Sequence, residues 1–253
     1  MKYFKGVLLL IFVVSCTKNK VETSSVLMHI NFSHNWGGTS IANSDLNTIK
    51  FTNENGEQLS IERLRYLISN ITLINADGEK TLIKERHLVN LSEERGLELI
   101  SDLEVPKGTY KLSFVFGLTD ADNVDGAYQD LNSVSFNVPT MLGGGYHFMQ
   151  FDGKFNGTNS QVHNFNFHAI RAVDSADPLN LVFQDTSFEV NLGDVVIKES
   201  GTVEVKMDVS EWFKTPNLWN LNTLNAMLMP NFNAQVLISA NGKSVFSLGA
   251  ITP

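Results

Sequence analysis

Cysteine occurs once in these 253 residues, at Cys16. No disulfide can staple the body of the chain, so its stability has to come from apolar burial, for which the length is ample. Basic charge is scarce as well: 19 Lys and Arg face 27 Asp and Glu, a formal charge of −8, with no basic stripe. That excludes a nucleic-acid partner and an electrostatic grip on anionic lipid. Common catalytic motifs are missing too. There is no Gly-x-Ser-x-Gly elbow, no His-Glu-x-x-His and no glycine-rich phosphate loop ahead of a helix. Nothing singles out a carboxylate pair for glycoside hydrolysis either. The chain is therefore expected not to be an enzyme.

Long apolar runs are confined to the N-terminus. Lys2 and Lys5 flank the start of an unbroken apolar stretch over 6–14, and Ser15 precedes Cys16. This is the pattern of a secretory signal peptide, well short of the roughly 20 apolar residues that span a bilayer. Val13, Val14, Ser15 and Cys16 resemble a lipobox, which implies cleavage before Cys16 and diacylglycerol on its sulfur. Residues 1–15 are read as the leader, 16–24 as a polar lipidated tether and 25–253 as one β domain. Two or more acyl chains anchor a protein stably, at about 0.8 kcal/mol per buried methylene, so lipid alone reaches the membrane. Thr17 stands where lipoproteins kept in the inner membrane usually carry aspartate, which points to the outer membrane, on its periplasmic or surface face.

Long amphipathic helical patterns are scarce. Short runs of β-branched and aromatic residues, broken by Gly, Asn and Asp, fill the chain instead. Residues 26–34 alternate, putting Val26, Met28, Ile30, Phe32 and His34 on one face. Leu64, Tyr66 and Ile68 alternate likewise, and Asn75, Ala76, Asp77 and Gly78 turn the chain into 80–91, a hairpin. Pro106, Lys107 and Gly108 lead into a strand at 110–116. Further strands are expected at 144–155, 162–170, 179–192, 201–209 and 234–240, with short helices at 123–132 and 219–229. The fold class is all-β: an antiparallel β-sandwich, Ig-like or related, with one or two short helices.

One segment stands apart. Gly143, Gly144 and Gly145 open backbone conformations closed to other residues and deliver the chain into Tyr146 and His147. Strand alternation then puts His147, Met149 and Phe151 on one side. Imidazole and thioether together suit copper, Cu(I) above all, better than magnesium or calcium. His34, His163 and His168 are the histidines that could complete such a site, while His29 and His87 fall in polar stretches and read as surface residues. The plainer reading, a packed strand after a glycine turn, stays open. Asp120, Asp122 and Asp125 form a second cluster, either a calcium loop that departs from EF-hand spacing or a solvated acidic turn.

The order of these pieces resembles the copper-binding MbnP-like family of bacterial exported proteins and lipoproteins. Four stretches carry the likeness: residues 30–38, from Ile30 through His34 to Gly37 and Gly38; 64–71 with Asp77 and Gly78; 106–118; and 141–153 followed by Phe167 and His168. The resemblance implies an all-β domain and copper held by histidines, here His147 and His168, with His34 and Met149 as further candidates. Relatives often place tryptophans just after the methionine matching Met141, where this chain has Leu142 and Gly143; Trp36, Trp212 and Trp219 lie elsewhere. The function expected is non-catalytic metal handling at the envelope, with Cu(I) or Cu(II) as ligand and an envelope protein as a further partner. A metal-free module recognising a glycan or envelope protein, using exposed aromatics such as Trp36 and Trp219, is the alternative.

Overall fold

The computed structural model describes residues 24–198 and 202–252. The leader, Cys16 and all of the tether but Ser24 lie outside them. In chain order the strands are β1 (Ser25–Trp36), β2 (Thr39–Ser40), β3 (Phe51–Thr52), β4 (Gln58–Leu59), β5 (Arg63–Ile74), β6 (Lys80–Asn90), β7 (Glu98–Pro106) and β8 (Gly108–Phe116). After them come β9 (Met149–Asn156), β10 (Val162–Ala169), β11 (Ala172–Asp174), β12 (Val182–Gln184), β13 (Phe188–Ile197), β14 (Thr202–Asp208) and β15 (Phe246–Thr252).

Alternation in β1 decides its place: Met28, Ile30, Phe32 and His34 are buried. It lies within a sheet of order β15-β14-β1-β2, with β7 also paired to it. β1 and β14 run parallel, His29 opposite Thr202 and Asn35 opposite Asp208. The other ladders among the described residues are antiparallel. A second sheet runs β13-β8-β5-β9-β4-β3, with β6 along β5 and β10 along β9. β5 and β6 are the hairpin expected at 75–78, whose Gly78 takes φ 82°. β5 organises the sheet, holding β9 through Arg63 to Tyr66 and β8 through Ile68 to Ile74.

The two sheets meet over an aromatic core. Tyr66 of β5 packs edge-on against Phe32 of β1, centroids 6.4 Å apart, and lies 5.8 Å from Phe246 of β15. Phe116 of β8 sits 5.2 Å from Trp212. Burying an aromatic or aliphatic side chain of this kind stabilises by about 1.5–3 kcal/mol, which is how the fold dispenses with cross-links. The fold class is the one expected, an all-β sandwich with short helices.

Four segments differ from expectation, one of them 179–192, where the single strand expected is instead β12 and the start of β13, which lie in different sheets. Residues 234–240 lie in a helix, not a strand. The first helix in chain order, α1 (Gln129–Ser133), closes the 123–132 segment, and α2 (Phe232–Gly242) covers 234–240. Asn231 caps α2 by accepting from the Ala234 amide at 3.1 Å, and Ala234, Gln235, Ile238 and Asn241 are buried at helical spacing. The cap and the buried hydrogen bonds of Gln235 and Asn241 outweighed the strand preference of Val236 and Ile238. Residues 219–229 form turns rather than a helix. The strand expected over 144–155 begins only at Met149. Among the described residues no helix is long and apolar enough to cross a membrane.

Candidate metal centre

β9 and β10 pair in a register that sorts their side chains onto two faces. Phe151 stands opposite Phe167, Met149 opposite Ala169, and all four are buried in the core between the sheets. The alternate positions, Gln150, Asp152, Asn166 and His168, therefore fall on the outer face. Arg63 and Arg65 of β5 join them there, Arg65 donating from Nε to Gln150 Oε1 at 2.7 Å and Arg63 pairing with Asp152. The outer face is roofed by 134–147. Arg65 donates to the Val134 and Ser135 carbonyls at 2.9 and 3.3 Å, with its guanidinium 5.2 Å from the centre of the Phe136 ring.

The glycine run brings His147 under this roof. Gly144 and Gly145 have φ of 66° and 82°, and a Cβ on them would lie 2.7 Å from Asp125 Cγ and 2.5 Å from Asn123 Oδ1, so only glycine fits. Asp125 accepts from the Gly145 amide at 3.0 Å and Asn123 from the Tyr146 amide at 2.8 Å. Asp122 accepts from Thr119 and Asn70. The acidic loop thus clamps the glycine turn, which replaces the calcium reading. Among the described residues no cluster of three or more His, Cys, Asp or Glu is placed to hold a metal ion.

His147 and His168 meet edge to face, with ring centroids 5.3 Å apart and planes at 81°. Two imidazoles sharing one ion through bonds of about 2.0–2.1 Å can have centroids up to roughly 6 Å apart, so this spacing fits a common ligand. Each ring has one nitrogen committed. His147 Nδ1 lies 3.0 Å from the Phe136 carbonyl oxygen, which also accepts the His147 amide at 2.9 Å. A carbonyl cannot donate, so the ring proton is on Nδ1 and the lone pair on Nε2. His168 Nε2 lies 2.9 Å from Asp152 Oδ1, and an ionised carboxylate likewise only accepts, leaving the lone pair of a neutral ring on Nδ1. His147 Nε2 and His168 Nδ1 are buried without a hydrogen-bond partner. Orphaned buried polar atoms are costly, and two in adjacent rings fit a shared cation. A ring held by carboxylate or carbonyl on its far nitrogen is the usual support of a metal-ligating histidine.

Charge follows the same geometry. Burial, with the nearby His168, lowers the His147 pKa to about 4, so this ring is neutral and ready to ligate at ordinary pH. Burial alone would raise the Asp152 carboxyl. The hydrogen bonds it accepts from His168, Asn166 and Arg63 instead hold it well below the usual carboxylate range.

Two expected ligands go elsewhere. Met149 is wholly buried on the core face, opposite Tyr66 and away from His168. The chain bends at Phe148, between bonds to Ala169 and Leu67, so His147 and Met149 do not share a side as simple alternation required. His34 also lies on the core face, its ring 5.7 Å from Tyr66. His163, an odd number of residues from His168, bonds Asn159 at 2.9 Å. His87 is no surface residue: it stacks on Phe32 at 5.6 Å and bonds the Gly96 carbonyl. The aromatics invoked for a glycan surface are engaged too. Trp219 is 1% exposed, and Trp36 packs on Phe51 and Phe213.

The class of protein is an all-β sandwich, here with two histidines packed together on the outer face of one sheet. The MbnP family model matches residues 25–230, and the chain belongs to that family. Among solved structures, MbnP from Methylosinus trichosporium superposes with a TM-score of 0.58 at 13% identity, over 90% of this chain and 99% of that one, a likeness of fold. No curated protein matches the chain.

Proposed function

We propose that this protein is a non-catalytic copper-binding member of the MbnP family that holds the ion between His147 Nε2 and His168 Nδ1. The observation that carries the reading is the pair of buried, unpartnered nitrogens on rings 5.3 Å apart, each ring fixed by its other nitrogen. Imidazole suits copper, and Cu(I), with a filled d shell, accepts the low coordination that two rings offer. The copper association of the family supports the choice of metal. Lipid on Cys16 would keep the domain at the outer membrane, where an envelope protein would deliver or receive the ion.

Anaerobic competition titration of the chain from residue 17 against a chromophoric Cu(I) chelator tests this. One equivalent bound tighter than about micromolar, and lost in the His147→Ala, His168→Ala double variant, is the expected result. Binding weaker than that, or unchanged in the double variant, overturns the assignment.

A further inference from the structure

The structure holds a soft-donor feature beside the histidine pair. A cavity of about 660 Å³ opens against His168, and its wall includes Met141, Met227 and Met229 with Leu142, Pro178 and Leu228. Met141 is 79% and Met227 75% exposed. Flexible thioethers left in water around one cavity contribute little to folding, so their placement calls for a ligand rather than a core.

That placement is built, not incidental. Met227, Leu228 and Met229 lie on a loop fastened to β10 at both ends of the relevant stretch. On one side the Asn166 amide donates to the Asn225 carbonyl at 2.7 Å, and Asn225 Nδ2 to the Asn164 carbonyl at 3.1 Å. On the other, the buried side chain of Gln235 donates to the carbonyls of both His168 and Leu228, each at 2.9 Å, while its oxygen accepts from Ile170. One side chain therefore ties the methionine loop to the backbone of the histidine. Met227 itself takes φ 56°, a conformation that non-glycine residues adopt only when their surroundings impose it. Met141 sits on the one-turn helix Thr140–Leu142, six residues before His147 in the same loop. The three methionines thus share a cavity wall with His168, whose ring carries the unpartnered nitrogen and packs against His147.

We propose that Met141, Met227 and Met229 form a thioether vestibule that accepts Cu(I) from solution or a carrier and passes it to His147 and His168. This rests on the copper reading above and adds to it the route by which the ion arrives. Thioether sulfur is a soft donor that selects Cu(I) over harder cations. Transfer is ligand exchange: a Cu–S bond breaks as a Cu–N bond forms, the ion stays monovalent, and no electron or proton moves.

The experiment uses Cu(I) supplied by a chromophoric chelator, with stopped-flow absorbance for loading rate and copper X-ray absorption for the donor atoms. In the Met141→Leu, Met227→Leu, Met229→Leu variant, which keeps side-chain bulk and lacks sulfur, loading is expected to slow about tenfold or more while the final affinity changes by less than about threefold. In the His147→Ala, His168→Ala variant, a weaker Cu(I) site with sulfur scattering is expected to persist. Wild-type loading kinetics in the methionine variant, or no sulfur-bound copper in the histidine variant, overturns the vestibule. The histidine reading fails separately, if the histidine variant binds copper as tightly as the wild type. Single Met141→Leu, with a near-UV circular dichroism check of folding, gives the same kinetic readout from a milder change.

Discussion

His168 Nε2 lies 2.9 Å from Asp152 Oδ1, and the same carboxylate accepts from Asn166 Nδ2 and pairs with Arg63. Asp152 thereby fixes which nitrogen of His168 is free. Asp152→Asn keeps the shape but removes the charge, and its amide can turn to present a donor to His168. Copper affinity is expected to fall about 10- to 100-fold with the fold retained, measured by chelator competition alongside thermal unfolding. Unchanged affinity would mean that His168 is oriented without Asp152.

Gly117 has φ 82°, and a Cβ there would lie 2.4 Å from Cγ of Phe148. Phe148 is the bend that turns His147 away from the core. Gly117→Ala is expected to cost about 2–4 kcal/mol, from left-handed strain and the displaced ring, and to weaken copper binding as His147 shifts. Urea unfolding and the competition titration measure both. Loss of stability alone, with full affinity, would uncouple the bend from the site.

His34 is 4% exposed, and burial lowers its pKa to about 4. Between pH 6.5 and about 4 the unfolded chain takes up a proton that the folded ring refuses. The contribution of His34 is therefore fully present above pH 6.5 and is lost as pH falls toward 4, on the order of 2–4 kcal/mol. His34→Met is expected to flatten the stability curve over that window, read by chemical denaturation at several pH values. An equally steep curve in the variant would show that His34 does not titrate this way.

Gln235 spends its side chain on three backbone groups, of His168, Ile170 and Leu228. Gln235→Leu takes the partner from the Ile170 amide and one bond each from the His168 and Leu228 carbonyls, the latter keeping its bond from the Asn231 amide, so stability is expected to drop by about 1–3 kcal/mol. Amide hydrogen exchange should rise first at Ile170. Protection unchanged there would show that the side chain does not fasten the loop.

Much of the fold was legible in residue patterns, because a face that must be buried repeats every second residue. That is why 26–34 and 64–68 read correctly and the turn at 75–78 marked a hairpin. Residues 234–240 misread as a strand because Val236 and Ile238 favour one and because the buried face of the helix carries polar Gln235 and Asn241, which erase the apolar periodicity; the Asn231 cap was the signal present. The site was legible only as an unordered set of histidines. Which of them meet depends on the register of β9 on β10 and on the bend at Phe148, and neither has a local signal. Alternation correctly put His34 on a buried face, but His147 and His168 meet on the outer face of the second sheet, which β1 does not belong to. Asp152 and the three cavity methionines carry no periodic pattern, so their roles appear only in three dimensions.

In the metal-free fold, the Phe136 carbonyl and the Asp152 carboxylate preset the lone pairs of the two rings. Long-range proton–nitrogen NMR of the histidine side chains near pH 7.5 tests it most directly. The expected result is the Nδ1–H tautomer at His147 and the Nε2–H tautomer at His168, with Nε2 of His147 and Nδ1 of His168 shifting together at one equivalent of Cu(I). A proton on either of those two nitrogens in the metal-free protein, or copper-induced shifts at neither ring, would contradict it.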